Sequence, residues 1–236
     1  MRGLLRWALL LLLAALALQL FFLLRIAAMA WLNPQSTSFQ RSQAWSLASS
    51  QQPLRWRQQW LDYEQISPHL KRAVIAAEDD GFSRHEGVEW QAMEQARERN
   101  ARQAAKATAS GREARLRGGS TITQQLAKNL LLSGERTLLR KGQELLLAFA
   151  LERLLSKQRI LEIYLNNVEW GQGVFGAEAA AQHYYRKSAR QLGAAEAARL
   201  AVMLPAPRRY EAMPASPYLA ARSRALLARM GRSELP

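Results

Sequence analysis

Cysteine is absent from the 236 residues, which excludes a disulfide framework, a thiolate metal site and a thiol nucleophile. The redox compartment stays open on that evidence. Histidine is scarce: His69, His85 and His183 stand far apart, so no metal-ligand cluster is offered, and Asp79-Asp80 alone is a weak one. Acidic side chains are outnumbered 19 to 33 by Lys and Arg, for a net charge of +14. Such a balance suits polyanions, anionic lipid surfaces or phosphate-bearing ligands. No run of alternating β-branched residues with hairpin turns occurs, so the fold is expected to be mainly α, with at most a strand pair in the irregular parts. A hydrophobic content of 49% is enough for a proper core in one large domain or two small ones.

What is present begins with an apolar run from Trp7 to Leu24, interrupted only by Gln19 and long enough to cross most of a hydrocarbon core. Arg2 and Arg6 precede it, and after Arg25 the next basic residue is Arg41, so the positive-inside rule places the N-terminus in the cytoplasm and the remainder outside. Ala28-Met29-Ala30 would serve as a signal-peptide cleavage site, but the apolar run exceeds a usual signal core of about 7–15 residues, which favours an uncleaved anchor. The expected organisation is a cytoplasmic tip and anchor over residues 1–32, a Ser- and Gln-rich juxtamembrane linker and approach over 33–66, and a helical domain over 67–236. Within that domain 91–117 is rich in Arg and poor in large apolar residues, and is read as a basic, partly helical mobile flap.

Ser67-Pro68 opens a helix that carries Leu70, Val74 and Ala77 on one face and ends at Glu78-Asp79-Asp80, followed by Phe82, His85 and Gly87. Glu78 comes straight after Ala73 to Ala77, so partial burial would raise its pKa, while Asp79 and Asp80 stay hydrated. Gly118-Gly119-Ser120-Thr121 precedes a helix start with Thr121 and Gln124 at capping-box spacing. Helical spacing puts Gln124 and Lys128 on one face. Arg140 and Lys141 stand four and three positions before Glu144, which abuts an almost unbroken apolar helix from Leu145 to Leu155. Gly171-Gln-Gly173-Val-Phe-Gly176 fits a dinucleotide pattern, yet a helix precedes it and no βαβ unit surrounds it, so it is read as a loop between helices.

Taken together, Glu78-Asp79-x-x-Phe82-x-x-His85-x-Gly87, Gly118 to Asn129, Arg140-Lys141-x-x-Glu144 and Lys157-x-x-Ile160-Leu161-Glu162-x-Tyr164-Leu165-Asn166 resemble the ordered signature of the peptidoglycan glycosyltransferase family. The resemblance spans about Ser67 to Tyr210, and Val168-Glu169-Trp170-Gly171, with no transpeptidase domain following, resembles its monofunctional, membrane-anchored branch. Tyr185-Arg186 departs from the usual pair there, and the basic insertion before Gly118 is long. The resemblance implies a lysozyme-like, two-lobed helical domain behind one transmembrane helix in the bacterial inner membrane, with the catalytic domain periplasmic. It implies polymerisation of lipid II, with inversion and release of undecaprenyl pyrophosphate. Glu78 would be the general base and Glu144 the second acid; Lys128, Arg136, Arg140 and Lys141 would receive the diphosphate. Ser120, Gln124, Gln125, Asn129, Phe82 and His85 would bind or orient substrate. Members of that family often work better with a divalent cation, Mg2+ or Mn2+, for which this sequence offers no cluster. The implied partners are lipid II, the growing glycan strand, the membrane and other cell-wall synthases and divisome proteins, with no nucleic acid. A peptidoglycan-cleaving muramidase or lytic transglycosylase, and a non-enzymatic scaffold, are the rival readings; the cation array argues against the first, and the placed carboxylates against the second.

Overall fold

The structure is a computed structural model that describes residues 2–49, 56–109, 119–135 and 137–236. In chain order its elements are α1 (Arg2–Ala28), α2 (Ser38–Ser49), β1 (Arg57–Gln58), α3 (Pro68–Glu78), α4 (Trp90–Ala109), α5 (Ile122–Leu131) and α6 (Leu138–Leu154). Then follow α7 (Lys157–Asn167), β2 (Glu169–Gly171), β3 (Val174–Phe175), α8 (Ala177–Tyr185), α9 (Ala194–Met203), α10 (Pro207–Ala212) and α11 (Pro217–Arg229). The mainly helical expectation is met.

Local chemistry starts these helices. Ser67 accepts a hydrogen bond from the His69 N–H with Pro68 in the first turn of α3, and Thr121 and Gln124 complete a reciprocal capping box on α5. Thr137 and Ser156 cap α6 and α7 in the same way. The core is centred on α3, whose Leu70, Ala73, Val74 and Ile75 are buried, and on α9, whose Ala197, Ala198 and Ala201 let its backbone approach closely. α11 packs on both.

The glycine-rich stretch is a hairpin and not a loop between helices. β3 pairs antiparallel with β2 and parallel with β1, giving the order β1-β3-β2. Gly176, at φ +84°, closes it onto α8, where a Cβ would come within 2.6 Å of the Asn166 carbonyl oxygen. The glycines thus lie in an antiparallel β2–β3 hairpin and not at the strand-to-helix turn of a βαβ unit, which disposes of the dinucleotide pattern.

Residues 33–66 hold more structure than their composition suggests. Thr37 and Gln40 cap α2 reciprocally, the Thr37 N–H donating to Gln40 Oε1 at 2.9 Å and the Gln40 N–H to Thr37 Oγ1 at 3.0 Å. α2 then lies along α5, where Ser38 Oγ donates to the Leu130 carbonyl at 3.1 Å. Asn166 grips Leu61 at both backbone groups, at 2.8 Å each. The stretch expected as a flap is helical, as α4, to Ala109; residues 110–118 lie outside the described ones.

α1 is long and apolar enough to cross a membrane. Its C-terminal end joins the folded domain: Ile26 and Met29 are buried in the core, and Arg159 donates to the Met29 carbonyl at 2.8 Å and to Asn33 Oδ1 at 2.7 Å. Further up, Gln19 exchanges two amide hydrogen bonds of 2.9 Å with Gln143 of α6. Leu138 and Leu139, at the start of α6, are 93% and 87% exposed, so α6 offers an apolar surface beside the anchor. An amide pair between apolar surfaces is worth about 1 kcal/mol, and each partner left alone is a liability. Gln143→Leu should therefore lower unfolding stability in detergent by about that amount, and Gln19→Leu added to it should recover most of the loss. Two losses that simply add would contradict the pairing.

Candidate active site

The site is assembled where the end of α3 meets the start of α5. α3 stops at Glu78, and Asp79 turns its carboxylate across to the neighbouring helix. Asp79 Oδ2 accepts the Ile122 N–H at 2.9 Å and Oδ1 accepts from His85 Nε2 at 2.8 Å. A carboxylate on the first free amides of a helix is favoured by both the hydrogen bond and the helix dipole. The Gly87 N–H donates to His85 Nδ1 at 3.1 Å, so the ring proton sits on Nε2 and points at Asp79. Thr121 Oγ1 donates to the Gly87 carbonyl at 2.6 Å, closing a ring of contacts around the loop. Gly87 has φ +85°, and a Cβ there would stand 2.9 Å from Glu152 Cγ, so this turn needs glycine. Asp79, expected to stay hydrated, is only 5% exposed, because its two oxygens are taken by this scaffold.

Glu78 is left outside the ring. Gln125 Nε2 donates to Glu78 Oε2 at 2.9 Å, and the Tyr164 hydroxyl donates to Gln125 Oε1 at 3.1 Å. Tyr164 thereby fixes which way the Gln125 amide faces. Burial pushes the Tyr164 phenol well above its ordinary pKa, with the charges of Glu78 and Asp79 adding to the effect, so the hydroxyl remains a donor. Burial is also the main influence on Glu78 and raises its pKa; the Gln125 hydrogen bond opposes this, Asp79 reinforces it and the Lys128 charge opposes it. The direction agrees with the sequence expectation. Chemically, this is a carboxylate made a better base by desolvation and held in one orientation.

Glu144 is different in kind. It is 3% exposed, and both oxygens are taken: Arg140 Nη1 donates at 2.9 Å and Lys141 Nζ donates to the other oxygen. It braces two cations, one on each oxygen. Lys141 Nζ also reaches Ser120 Oγ at 3.4 Å, and Gln125 Nε2 lies 3.5 Å from the Ser120 carbonyl. Glu78 and Glu144 thus stand on one ribbon of polar groups running Gln125, Ser120, Lys141 over the start of α5. Beside the cations a cavity of about 670 Å³ opens between α5, α6 and α2, with Lys128, Asn129, Arg140 and Lys141 on its wall and Ser38 and Gln43 opposite.

The other expected site residues fall into two groups. Lys128 and Asn129 face this cavity and Ser120 adjoins it, as expected. Phe82, His85 and Gln124 do not face it. The Phe82 side chain has no exposed surface and lies under Lys157 Nζ, 4.5 Å from the ring centroid. His85 is spent on Asp79 and Gly87, and Gln124 Oε1 accepts the Thr121 N–H at 3.1 Å within a buried cap. These three shape the loop and the helix start. Arg136 lies outside the described residues. Sequence reasoning missed Tyr164, taken as an apolar helix position; the available signal was that a buried tyrosine hydroxyl seeks a partner.

Among the described residues a potential metal cluster appears that the sequence did not reveal: Asp79, His85 and Glu89 bring donor atoms within 4.8 Å of one another. The donor set does not fit a divalent cation. Both Asp79 oxygens accept N–H donors, and both His85 nitrogens are engaged, leaving Glu89 alone for an ion that asks for about six oxygens.

The site therefore combines a desolvated carboxylate, Glu78, with two carboxylate-braced cations, Arg140 and Lys141, joined by a ribbon of polar groups. The chain belongs to the transglycosylase family, whose model, described as Transglycosylase, matches residues 28–231. It is 52% identical over 237 residues to the biosynthetic peptidoglycan transglycosylase of Herminiimonas arsenicoxydans, covering 100% of this chain and 99% of the relative. The proteins of the same name from Janthinobacterium sp. (strain Marseille) and Paraburkholderia xenovorans (strain LB400) are also 52% identical, over 100% and 94% of this chain and 99% and 89% of theirs.

Since the Gln125 amide opposes the burial that raises the Glu78 pKa, Gln125→Met should raise it further. A base must be deprotonated, so the acid limb of the kcat/KM profile should move to higher pH in that variant. An unmoved or lowered limb would show that Glu78 is not the group titrating there.

Proposed function

We propose that this chain polymerises lipid II into β-1,4-linked glycan strands, with inversion at the donor anomeric carbon. The observation that supports this reading is a desolvated carboxylate, Glu78, linked through Gln125 and Ser120 to a pair of cations, Arg140 and Lys141, that Glu144 holds. In the reaction Glu78 takes the proton from the sugar 4-hydroxyl of the acceptor. The oxygen attacks the anomeric carbon of the donor, and the bond from that carbon to the diphosphate breaks, releasing undecaprenyl pyrophosphate. Negative charge builds on the departing diphosphate, so cations belong there and not at the nucleophile, whose base they would weaken. Lys128, Arg140 and Lys141 line a cavity suited to that charge. Arg136 joins them by family resemblance alone. Glu144 is a positioning residue that keeps Arg140 and Lys141 together in a partly buried place where two like charges would otherwise repel.

Lys128 has an effect on both ends. It lowers the Glu78 pKa, which makes the base available at lower pH, and it faces the anion cavity. A cleaving enzyme needs a protonated carboxylic acid at the leaving sugar oxygen and has no use for this cavity. The name shared by the relatives supports synthesis over cleavage. The apolar α1, preceded in sequence by Arg2 and Arg6, supports an inner-membrane anchor with the catalytic domain in the periplasm, where a lipid-linked donor is presented.

Glu78→Gln removes the base and keeps the shape. It should lower glycan polymerisation by about 10²- to 10⁴-fold, followed as lipid II consumption by the detergent-solubilised full chain, with its helical circular dichroism unchanged. Near-normal consumption by that variant would defeat the assignment.

A further inference from the structure

Two recesses that share Arg229 are not used by the mechanism above. The smaller, about 120 Å³, has Glu78, Tyr210, Tyr218, Arg222 and Arg229 on its wall. The Tyr210 and Tyr218 rings there are stacked, 6.3 Å between centroids and 7° from parallel. The larger, about 370 Å³, is lined by Arg84, Arg229 and Arg232 with Asp80 and Ser83. Arg229 belongs to both, so the second recess opens directly beyond the base. Neither shares a residue with the cavity of Lys128, Arg140 and Lys141.

The larger recess is held in shape on both sides. Ser233 Oγ donates to Asp80 Oδ1 at 3.0 Å, and Ser83 Oγ donates to the Glu234 carbonyl at 3.0 Å, lacing the segment after α11 to the acidic loop after α3. Arg229 Nη2 donates to the Ala76 carbonyl near the end of α3, which fixes its guanidinium in place. Arg84 and Arg232 form no ion pair among the described residues. Three arginines face two acidic residues, Glu234 and Asp80, the latter partly spent on Ser233, so the recess keeps a positive excess that suits an anion, and the planar fork of arginine matches a carboxylate at two points.

The position says which anion. A diphosphate leaves on the Lys128 side and stays tied to its lipid, while this recess adjoins the place where the incoming sugar meets Glu78. What that sugar unit carries besides its lipid is a pentapeptide ending in a carboxylate, about 17 Å long when extended. We propose that the recess lined by Arg84, Arg229 and Arg232 receives the carboxylate end of the acceptor's stem peptide, with the stacked tyrosines flanking the approach. This rests on the polymerising reading of the same site and adds to it a determinant of acceptor choice.

The test uses the full-length protein in detergent, with lipid II carrying a free peptide carboxylate and with the same molecule amidated at that end. Wild type and Arg84→Ala/Arg232→Ala are compared; both side chains are exposed, and Arg229 is left alone because it holds Ala76. Amidation should raise KM for wild type at least about tenfold, the scale of one charge-assisted hydrogen bond, with kcat nearly unchanged. The double variant should show the raised KM for the free acid and no further rise on amidation. Equal KM for both substrates in wild type would overturn the proposal while leaving polymerisation intact. A variant that weakens both substrates alike would overturn it too, since the recess would then be answering the phosphates. Wild type that consumes neither substrate would overturn the polymerising reading and this assignment together.

Discussion

The structure depends on one buried carboxylate whose two oxygens are both held by the scaffold. Asp79 joins the end of α3 to the start of α5 by accepting the Ile122 N–H, and it holds His85 in the single tautomer that lets Gly87 complete the turn. A buried carboxylate with two N–H donors replaces much of the hydration it has lost, and the positive end of α5 favours its charge. Without that tie the two helix ends have no fixed distance, and neither Glu78 nor Gln125 has a fixed partner. The negative charge of Asp79 then acts on its neighbour, helping burial to raise the Glu78 pKa. Scaffold and reactivity are therefore coupled through adjacent residues in the chain.

The second constraint is the separation of opposite charges. A base beside strong cations is a poor base, and a developing diphosphate far from them is a poor leaving group. α5 answers both needs along its length. Gln125 near its start addresses Glu78, while Lys128 and Asn129 one turn on face the cavity that Arg140 and Lys141 complete from α6. Because α6 also carries Gln143, which meets Gln19 of the anchor, the same helix that holds the cations is attached to the segment able to enter a membrane.

Much of the fold was legible because its signals are local. Ser67-Pro68 and Thr121-x-x-Gln124 start helices through groups two or three residues apart, and the apolar face of α3 repeats at helical spacing. Thr37-Ser-Phe-Gln40 carried the same capping signal for α2 and was hidden by a Ser- and Gln-rich context that reads as linker. The three short strands were not legible: two or three residues show no periodicity, and β1 pairs with β3 more than a hundred positions away. In the site, Glu78 stood out because an apolar run delivers it. Asp79 and Tyr164 did not, since what defines them is a helix end and an amide reached only by folding. Phe82 and His85 share the loop motif with Glu78, and sequence order alone does not separate residues that shape a loop from one that faces the cleft.

The most direct measurement is a structure of the full chain with a non-hydrolysable lipid-linked diphosphate donor and a disaccharide acceptor bound together. The account predicts the acceptor 4-hydroxyl within hydrogen-bond reach of Glu78, about 2.6–3.2 Å, and the diphosphate oxygens on Lys128, Arg140 and Lys141. A diphosphate seated against Glu78, or an acceptor hydroxyl directed at Glu144, would contradict it.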